Sequence, residues 1–522
     1  MNDSNQPRFR IDAWIKVRVE GISIVKIKKI IKHQWECILR YVYIKCWDIP
    51  NKNEKIFLFE SRDGFSFTDS PRYVFNELMK RPSLENSKFV WIYSRHVVLD
   101  DLKTTLPFVD ERVMFVKRDT ISYAKILAKA NYLITNSTFP FWFVKSAHQI
   151  YLNTWHGTPL KKMGFDLPDS ELSKNVIRNF LMADVILSPN DHMTNILKNS
   201  YKLDGIYTGV IAEVGLPRMD TIGTAKDILR RQFSAHDIEF DELKQTILYA
   251  PTFRGMGPNQ MDDSVNHLLN DVQKMQYFFE HRYNFLVKVH PYVYRKLKKI
   301  LPATHLIPDY VDTNDVLQIT DILITDYSSV FFDFLNFKKP ILFYVWDQKD
   351  YDSERGMYFT KDDLPGPVFT KLQLLQKYIG DGDFQLNRSL LMKSMTVNDD
   401  GNASRRAVNI LLGEKKITAT SKKNILIVAG KHRLTGEEIK TISLLSYEFD
   451  VTLLLSTNNT LNAELKKVRK MYIFGHILMT PFEKIMRSKD GVEREYKRLV
   501  GMIDWDKIIV LDEKIKKSKF CS

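Results

Sequence analysis

The chain has 522 residues, 44% of them hydrophobic and 27% charged, a balance typical of soluble globular proteins that excludes fibrous and low-complexity classes. Its length exceeds the roughly 250 to 300 residues at which a single hydrophobic core stops growing, so several domains are predicted. A formal net charge of +14 favours anionic partners such as phosphorylated metabolites, nucleic acid or an acidic membrane.

The cysteine and hydropathy patterns predict a protein of the cytoplasm. Cys37, Cys46 and Cys521 show no spacing typical of a metal site, and so few cysteines favour a reducing compartment. No uninterrupted apolar run is long enough to predict a transmembrane helix. The first ten residues lack the apolar segment of a signal peptide.

The first predicted element is an amphipathic helix within residues 10–47. From Ile22 to Leu39 apolar residues recur at spacings of three and four, with lysines in and beside this stripe. Residues 1–50 contain ten Lys or Arg and five Asp or Glu, a net charge of +5. Such a helix can lie in an anionic membrane surface or pack its stripe on the body of the protein, and periodicity does not separate the two.

Short apolar runs then alternate with helical stretches in two segments, 51–215 and 216–412. The strands predicted in the first are 55–60, 88–94, 112–118, 131–137, 149–155, 184–190 and 207–215, with helices at 71–81 and 120–130. The strands predicted in the second are 246–252, 284–291, 305–309, 321–329 and 340–346. This alternation predicts two doubly wound α/β domains, each with a parallel sheet covered by helices.

Residues 413–522 are predicted to form a smaller α/β segment of unknown role. The expected elements are strands at 425–430, 450–456, 471–479 and 507–513, and a helix at 436–449. The first of these strands is not followed by the GxGxxG pattern that would support a dinucleotide site.

Candidate functional residues lie where predicted strands end, because open α/β sheets bind ligands at the carboxyl ends of their strands. At four such ends stand His156; Thr252 and Arg254; His290; and Asp326, Ser328, Ser329 and Asp333. A histidine can accept a proton near neutral pH, while an arginine fork and serines at a helix start both suit phosphate oxygens. The alternatives are a packed histidine, a surface ion pair and an ordinary N-cap.

Motifs in a fixed order carry a resemblance to a known family. They are NTWHGTPLKKMG, SPN, GLPRMD, ILYAPTFRG, KVHP and TDYSSVFFDFLNFKKPILFY, preceded by ESRDGFSFTDSPRYVFNEL. In this order they resemble the CDP-glycerol glycerophosphotransferases that build teichoic acids, over about residues 55–412. The resemblance implies a GT-B-like fold, in which two Rossmann-like domains face a cleft. It also implies a peripheral protein at the cytoplasmic face of the cell membrane.

The resemblance implies roles for individual residues. His156 would be the base that deprotonates the acceptor hydroxyl, and His290 would bind or polarise the donor pyrophosphate. The residues expected to bind substrate are Gly157, Thr158, Pro159, Leu160, Arg218, Pro251, Thr252, Lys288, Asp326, Ser328, Ser329 and Asp333. Arg254 is added because its guanidinium suits phosphate oxygens, and not because of the resemblance. The hydroxyl would attack the β-phosphorus of CDP-glycerol and release CMP. No strand end carries a carboxylate cluster with metal-ligand spacing, so no catalytic metal and no obligatory cofactor are expected.

The expected partners are CDP-glycerol or a similar CDP-polyol, a lipid-linked saccharide or polymer acceptor, and an anionic membrane surface. Nucleic acid is not expected, since its standard binding motifs are missing. The alternatives are a GT-B glycosyltransferase that uses a nucleotide sugar, a transferase that uses CDP-ribitol and, more remotely, a non-catalytic protein that binds anionic polymers. The sequence does not separate a primase from a polymerase, or teichoic acid from a capsular polymer, and it is compatible with a homo-oligomer.

Overall fold

The structure of the protein is a computed structural model. It describes residues 24–47, 49, 51, 54–167, 173–220, 225–252, 258–300, 305–346, 356–382, 384, 394–414, 424–430, 432–456, 465, 468–473 and 505–511. Within these ranges the chain forms three sheets, of seven, five and four strands, and all strand pairs within them are parallel. The predicted α/β class is confirmed. Among the described residues, no helix is both long and apolar enough to cross a bilayer.

The first sheet forms the domain that is predicted to bind the acceptor, called the acceptor-side domain below. Its strands are β1 (Ile56–Glu60), β2 (Lys88–Tyr93), β3 (Val113–Lys117), β4 (Tyr132–Thr135), β5 (Ile150–Asn153), β6 (Val185–Ser188) and β7 (Val210–Glu213). Their order is β3-β2-β1-β4-β5-β6-β7. Strand β1 is buried along its full length, as expected of a central strand covered on both faces. Phe57 of β1 stacks on Tyr132 and Phe89 of its two neighbours, so the register is reinforced by cross-strand aromatic contacts.

Of the described helices, one precedes these strands and the others connect them. They are α1 (Ile24–Cys46), α2 (Ser70–Met79), α3 (Leu99–Lys103), α4 (Ile121–Lys129), α5 (Lys174–Met182) and α6 (Asp191–Asn199). Three of them begin at side-chain caps: Asp69 accepts from the Ser70 amide before α2, Thr120 from the Tyr123 amide before α4, and Asn190 from the Met193 amide before α6.

Helix α1 packs one face on the body of the protein, which was one of the two alternatives that its sequence left open. Leu39 and Tyr43 are buried, and the Tyr43 hydroxyl donates to the Val144 oxygen at 2.6 Å, so this face packs on the body of the protein. On another face Ile31 and Ile38 remain 63% and 46% exposed. The helix is therefore docked, yet it presents apolar side chains to the solvent. Residues 1–23 lie outside the described residues.

The second sheet forms the domain that is predicted to bind the CDP-polyol donor, called the donor-side domain below. Its strands are β8 (Gln245–Ala250), β9 (Tyr283–Val287), β10 (Ile322–Thr325), β11 (Ile341–Tyr344) and β12 (Val368–Phe369), in the order β12-β11-β10-β8-β9. The predicted strand at 305–309 is wrong. Only Leu306 bridges to Val287, and Pro308 in this segment has no amide hydrogen with which to extend a ladder. The two-residue strand β12 was not predicted.

The helices after β7 cover the second sheet and lead back to the first domain. They are α7 (Ala225–Ser234), α8 (Pro258–Phe279), α9 (Pro291–Leu297), α10 (Thr313–Ile319), α11 (Val330–Phe334), α12 (Leu372–Asp381) and α13 (Ala403–Leu411). Helix α13 packs on α2 of the first domain, and Arg81 donates to Asn409 at 2.6 Å. The chain therefore passes from the first domain to the second after β7, and it returns to the first domain at α13.

The third sheet belongs to the C-terminal segment. Its elements are β13 (Asn424–Gly430), α14 (Gly436–Glu448), β14 (Asp450–Ser456), β15 (Arg469–Ile473) and β16 (Lys507–Val510), and the strand order is β15-β14-β13-β16. Leu426, Val428 and Leu454 share a hydrophobic core with Tyr43 and Tyr151, so one face of this sheet packs on the first domain. The parts of the predicted elements at 474–479 and 512–513 lie outside the described residues.

Candidate active site

A cleft of about 590 Å³ opens between the carboxyl ends of the first two sheets. The predicted residues that line it are His156, Gly157, Thr158, Pro159, Leu160, Arg218, Pro251, Thr252, Lys288, His290, Ser328, Ser329 and Asp333. Asp326 adjoins this lining, and its carboxylate accepts hydrogen bonds from the amide and the hydroxyl of Thr252 at 2.9 and 2.6 Å. Arg254 lies outside the described residues.

The loop after β5 directs His156 into the cleft. Trp155 has a φ of 47° and Gly157 a φ of 106°, and such left-handed angles allow the chain to turn tightly on both sides of the histidine. The Asn153 side chain supports the turn by accepting from the Trp155 amide at 2.9 Å. A Cβ at position 157 would collide with the Arg218 guanidinium. The Trp155 ring stacks on the imidazole with centroids 3.7 Å apart, so the plane of the imidazole is fixed by packing.

Hydrogen bonding determines the tautomer of His156. Its Nδ1 lies 2.9 Å from the main-chain oxygen of Asn136, and since a carbonyl oxygen only accepts, Nδ1 carries the proton. The other nitrogen, Nε2, is then unprotonated, as a general base requires. Desolvation lowers the pKa of His156 below its usual value and outweighs the opposing effect of the Asn136 bond. The ring is therefore neutral near pH 7.

Asn136, just after β4, connects this histidine to the wall of the cleft. Its side-chain oxygen accepts from the Arg62 amide at 2.9 Å, and its side-chain nitrogen donates to Asp69 at 2.9 Å. Asp69 has a φ of 66°, a strained value for a residue with a side chain, and its carboxylate accepts from the Ser70 amide at 2.6 Å. Hydrogen bonds from three sides thus hold the segment between β1 and α2.

Arg218 lies between carboxylates from the two domains. Its guanidinium donates to Asp69 at 3.2 Å and to Asp333 at 3.0 Å. Burial raises the pKa of Asp333 and outweighs the effect of the Arg218 charge. Burial also acts on Asp69, but there the guanidinium and several hydrogen bonds outweigh it, so the pKa of Asp69 is lowered. The charge of Arg218 is balanced within the protein, and its side chain ties the acceptor side of the cleft to the donor side.

Lys288 and His290 form the opposite wall of the cleft. Burial lowers the pKa of Lys288 to about 7, and the positive charge of Arg62 adds to this effect. The Lys288 ammonium donates to the Pro308 oxygen at 2.7 Å, which uses one of its three hydrogens. Burial also lowers the pKa of His290, again with a contribution from Arg62. An anion bound between these groups would favour their charged forms.

Two serines follow β10 at the donor-side edge of the cleft. Helix α11 begins at Val330 with Ser329 as its N-cap residue, but the Ser329 hydroxyl accepts no capping hydrogen bond. The Ser328 hydroxyl accepts a long one, 3.4 Å from the Val330 amide. An ordinary N-cap therefore does not account for Ser329, whose side chain is exposed to the cleft.

A second buried arginine joins the two domains beside the cleft. Arg72 of α2 donates two hydrogen bonds of 2.7 Å to Asp315 and lies 3.3 Å from Asp312, the N-cap of α10. Asp312 also accepts from the Asp69 amide at 3.1 Å. The Arg72 guanidinium and its two carboxylate partners are buried, so water cannot replace either side of these ion pairs. The contacts therefore fix the distance between the two walls of the cleft.

Sequence reasoning missed six residues of this network: Arg62, Asp69, Arg72, Asn136, Asp312 and Asp315. Asn136 follows a predicted strand, so a consistent search of strand ends would have found it. Arg62 and Asp69 lie in the upstream motif ESRDGFSFTDSPRYVFNEL, whose residues received no roles. No pattern in the sequence indicates that Asp312 faces Arg72, because the two residues come from different domains.

Comparison with known proteins identifies the family. The profile described as CDP-Glycerol:Poly(glycerophosphate) glycerophosphotransferase matches residues 42–413, which include both walls of the cleft. The chain belongs to this family. The membership that the motifs predicted is therefore confirmed, and with it the prediction that the protein is an enzyme. The third sheet, β13 to β16, lies beyond the matched region.

Relatives and a solved structure agree with this glycerophosphotransferase family. The chain is 28% identical over 378 residues to a teichoic acid poly(glycerol phosphate) polymerase of Bacillus spizizenii, covering 69% of this chain and 93% of the relative. It is 27% identical over 401 residues to a teichoic acid glycerol-phosphate transferase of Staphylococcus aureus, covering 73% and 97%. A structure of the wall teichoic acid polymerase TagF soaked with CDPG matches with a TM-score of 0.59 and 25% identity, covering 76% of this chain and 98% of that one. The predicted GT-B-like architecture is confirmed.

Proposed function

We propose that this glycerophosphotransferase moves a glycerol phosphate unit from CDP-glycerol to the terminal hydroxyl of a polymeric acceptor and releases CMP, in the synthesis of teichoic acid or a related surface polymer. Family membership supports the donor and the class of acceptor. The observation that carries the assignment of residues is the cleft itself. It sets a histidine with a free Nε2 on one wall opposite Lys288 and His290 on the other.

The reaction requires one proton transfer and one phosphoryl transfer. The Nε2 atom of His156 takes the proton of the acceptor hydroxyl, whose oxygen attacks the β-phosphorus of CDP-glycerol. The bond from this phosphorus to the bridging oxygen breaks, and CMP leaves with that oxygen. His156 later returns the proton to water. Positioning and charge neutralisation provide most of the catalysis in such transfers, and Lys288, His290 and Ser329 line the wall where the departing phosphate would lie.

We also propose that the reaction needs no catalytic metal and no other cofactor. The proposal rests on the cationic and hydroxyl side chains that already line the cleft, which can neutralise the phosphates as a metal would. Turnover should then be unchanged by a chelator such as EDTA. Loss of activity with EDTA, restored by a divalent cation, would contradict this part of the proposal.

For the acceptor, we propose a lipid-linked saccharide or polymer that the enzyme meets at the cytoplasmic face of the membrane. Helix α1 supports this, since Ile31 and Ile38 are exposed within a lysine-rich segment. Apolar side chains and cations on one helix favour the surface of an anionic bilayer.

The experiment that tests the function is an incubation of the protein with CDP-glycerol and a lipid-linked acceptor. CMP release and the length of the product are measured, with CDP-ribitol and a nucleotide sugar as competing donors. We expect CMP release with CDP-glycerol, and product length then separates the addition of one unit from polymerisation. Faster turnover with CDP-ribitol, or with a nucleotide sugar, would contradict the choice of donor.

A further inference from the structure

Arg62 enters the cleft from a left-handed turn after β1. Arg62 has a φ of 49° and Asp63 a φ of 56°, which residues with side chains seldom adopt, and Gly64 follows at 79°. The turn is held in place, because the Arg62 amide donates to Asn136 at 2.9 Å and the Ser94 amide donates to the Gly64 oxygen at 2.7 Å. A Cβ on Gly64 would approach the Ser94 nitrogen within 2.9 Å, so the turn is also packed closely. The backbone of Arg62 is therefore rigidly placed.

The charge of Arg62 is not balanced by carboxylates as the charges of Arg72 and Arg218 are. Its guanidinium makes no hydrogen bond or ion pair with any residue that the structure describes, although the side chain lines the cleft and is only partly exposed. Among the carboxylates of the cleft, Asp69 and Asp333 are held by Arg218, and Asp312 lies against Arg72. The remaining one, Asp309, acts on Lys288.

The neighbours of Arg62 are themselves cationic or basic. Its positive charge contributes to the lowered pKa values of His156, Lys288 and His290, so the guanidinium is close enough to act on both walls of the cleft. An unpaired arginine beside other cationic groups is destabilised by charge repulsion and by partial loss of water, and a bound anion would offset both effects. The fork of a guanidinium matches two oxygens of one phosphate, which a lysine at the same place could not do.

We propose that Arg62 binds a phosphate of the bound substrates at the centre of the cleft, where the phosphoryl group passes from the donor to the acceptor. This inference rests on the proposed function. The phosphate has two sources, the β-phosphate of the donor and the terminal phosphodiester of the acceptor. Arg62 belongs to the acceptor-side domain but faces Lys288 and His290, so it completes from one side a phosphate site whose other side is the donor wall.

The test compares Arg62→Gln, which removes the charge, with Arg62→Lys, which keeps the charge but loses the fork. Arg95→Gln is the matched control, since Arg95 is an exposed arginine of the same domain outside the lining of the cleft. We expect kcat/KM to fall by about 100-fold or more in Arg62→Gln, as for the loss of one charge-stabilising donor, with a smaller loss in Arg62→Lys and none in Arg95→Gln. Thermal unfolding of each variant checks that the fold is retained.

Two arms identify the source of the phosphate. In the donor arm, calorimetry compares CDP with CMP: weakening of CDP binding by about tenfold in Arg62→Gln, with CMP binding unchanged, assigns Arg62 to the β-phosphate. In the acceptor arm, kcat/KM is compared between a lipid-linked disaccharide and the same acceptor ending in glycerol phosphate. A loss confined to the phosphate-bearing acceptor assigns Arg62 to the acceptor, while an equal loss with both assigns it to the phosphoryl group in transfer.

The inference would be overturned if folded Arg62→Gln kept CDP affinity and kcat/KM with both acceptors within twofold of the wild type. Its failure differs from failure of the proposed function. If the wild-type protein released no CMP from CDP-glycerol, the function would be wrong. The comparison of CDP binding between the wild type and Arg62→Gln would still show whether Arg62 holds a phosphate.

Discussion

The Nδ1 hydrogen of His156 is donated to the main-chain oxygen of Asn136, 2.9 Å away, and this contact leaves Nε2 as the basic nitrogen. The oxygen is itself held, because the Asn136 side chain bonds to the Arg62 amide and to Asp69. A rigid acceptor for one ring nitrogen fixes both the tautomer and the direction of the other. The proposed base is therefore oriented by the ends of neighbouring strands, β4 and β5.

Replacement of this base should abolish turnover without abolishing donor binding. We expect His156→Ala to reduce kcat by about 10² to 10⁴, since general base catalysis typically contributes that much, while CDP-glycerol affinity stays within a few-fold of the wild type. Single-turnover kinetics and calorimetry measure the two quantities. If affinity fell in proportion to rate, His156 would have a structural role beside Trp155 instead.

The donor wall should determine the affinity for the nucleotide. His290→Ala and Ser329→Ala are each expected to weaken CDP-glycerol binding by roughly tenfold, because each removes a polar group from the proposed phosphate site. Ser404→Ala, outside the lining of the cleft, is the control. Calorimetry that found unchanged affinity in both cleft variants would place the nucleotide elsewhere.

Lys288 should produce an alkaline limb in the pH profile. Its pKa is lowered to about 7, so it is charged below that pH and loses its proton as the pH rises through it. If the charged form binds phosphate, kcat/KM, which reports on the free enzyme, should decline above about pH 7. Lys288→Arg should shift this decline to higher pH, because an arginine stays protonated throughout the range. An alkaline limb that is the same in both proteins would assign it to another group.

The ion pairs of Arg72 should contribute strongly to stability. Arg72→Met leaves Asp315 and Asp312 buried without their partner, which typically costs about 3 to 5 kcal/mol. The expected result is a clear decrease in Tm, partly reversed by Asp315→Asn in the same chain. Arg230→Met is the control, since Arg230 pairs with acids on the exposed surface and its loss should leave Tm nearly unchanged. An equal change in Tm for the two substitutions would show that the buried ion pairs stabilise the fold no more than the exposed ones.

Membrane association should depend on the exposed face of α1. Deleting residues 1–50 would also remove the buried Leu39 and Tyr43, so point substitutions give the sharper test. We expect Ile31→Glu with Ile38→Glu to release the enzyme from anionic vesicles in a flotation assay, because both side chains are exposed. Charge reversal at Lys26, Lys28, Lys29 and Lys32 should act in the same direction.

The control for this experiment is Leu243→Glu, since Leu243 is 96% exposed on the donor-side domain. Turnover with a short soluble acceptor should be retained in every variant, because α1 does not line the cleft. Vesicle binding that persisted after both α1 changes would refute this role and direct attention to the basic tail, Lys514 to Lys519.

Motifs and apolar patterning were enough to predict the family, the two alternating α/β units and most of the residues that line the cleft. Short apolar runs predict buried parallel strands without knowledge of distant residues. The residues that follow such strands meet at one edge of the sheet, because the strands are parallel. This is why His156, His290 and Ser329, far apart in the chain, could be placed together. The weak strand pattern at 305–309 failed because its ladder hydrogen bonds depend on what lies beside it.

Which charges are neutralised depends on long-range packing and could not be predicted from local pattern. No sequence pattern separates Arg62 from Arg72 and Arg218. Arg72 and Arg218 nevertheless each meet a carboxylate of the opposite domain, and Arg62 meets none among the described residues. The same holds for α1, whose periodicity did not show that Tyr43 is buried while Ile31 is exposed. Burial and pairing depend on contacts between segments far apart in the chain. Local pattern therefore predicts the elements, and long-range packing determines which of their side chains are available to a ligand.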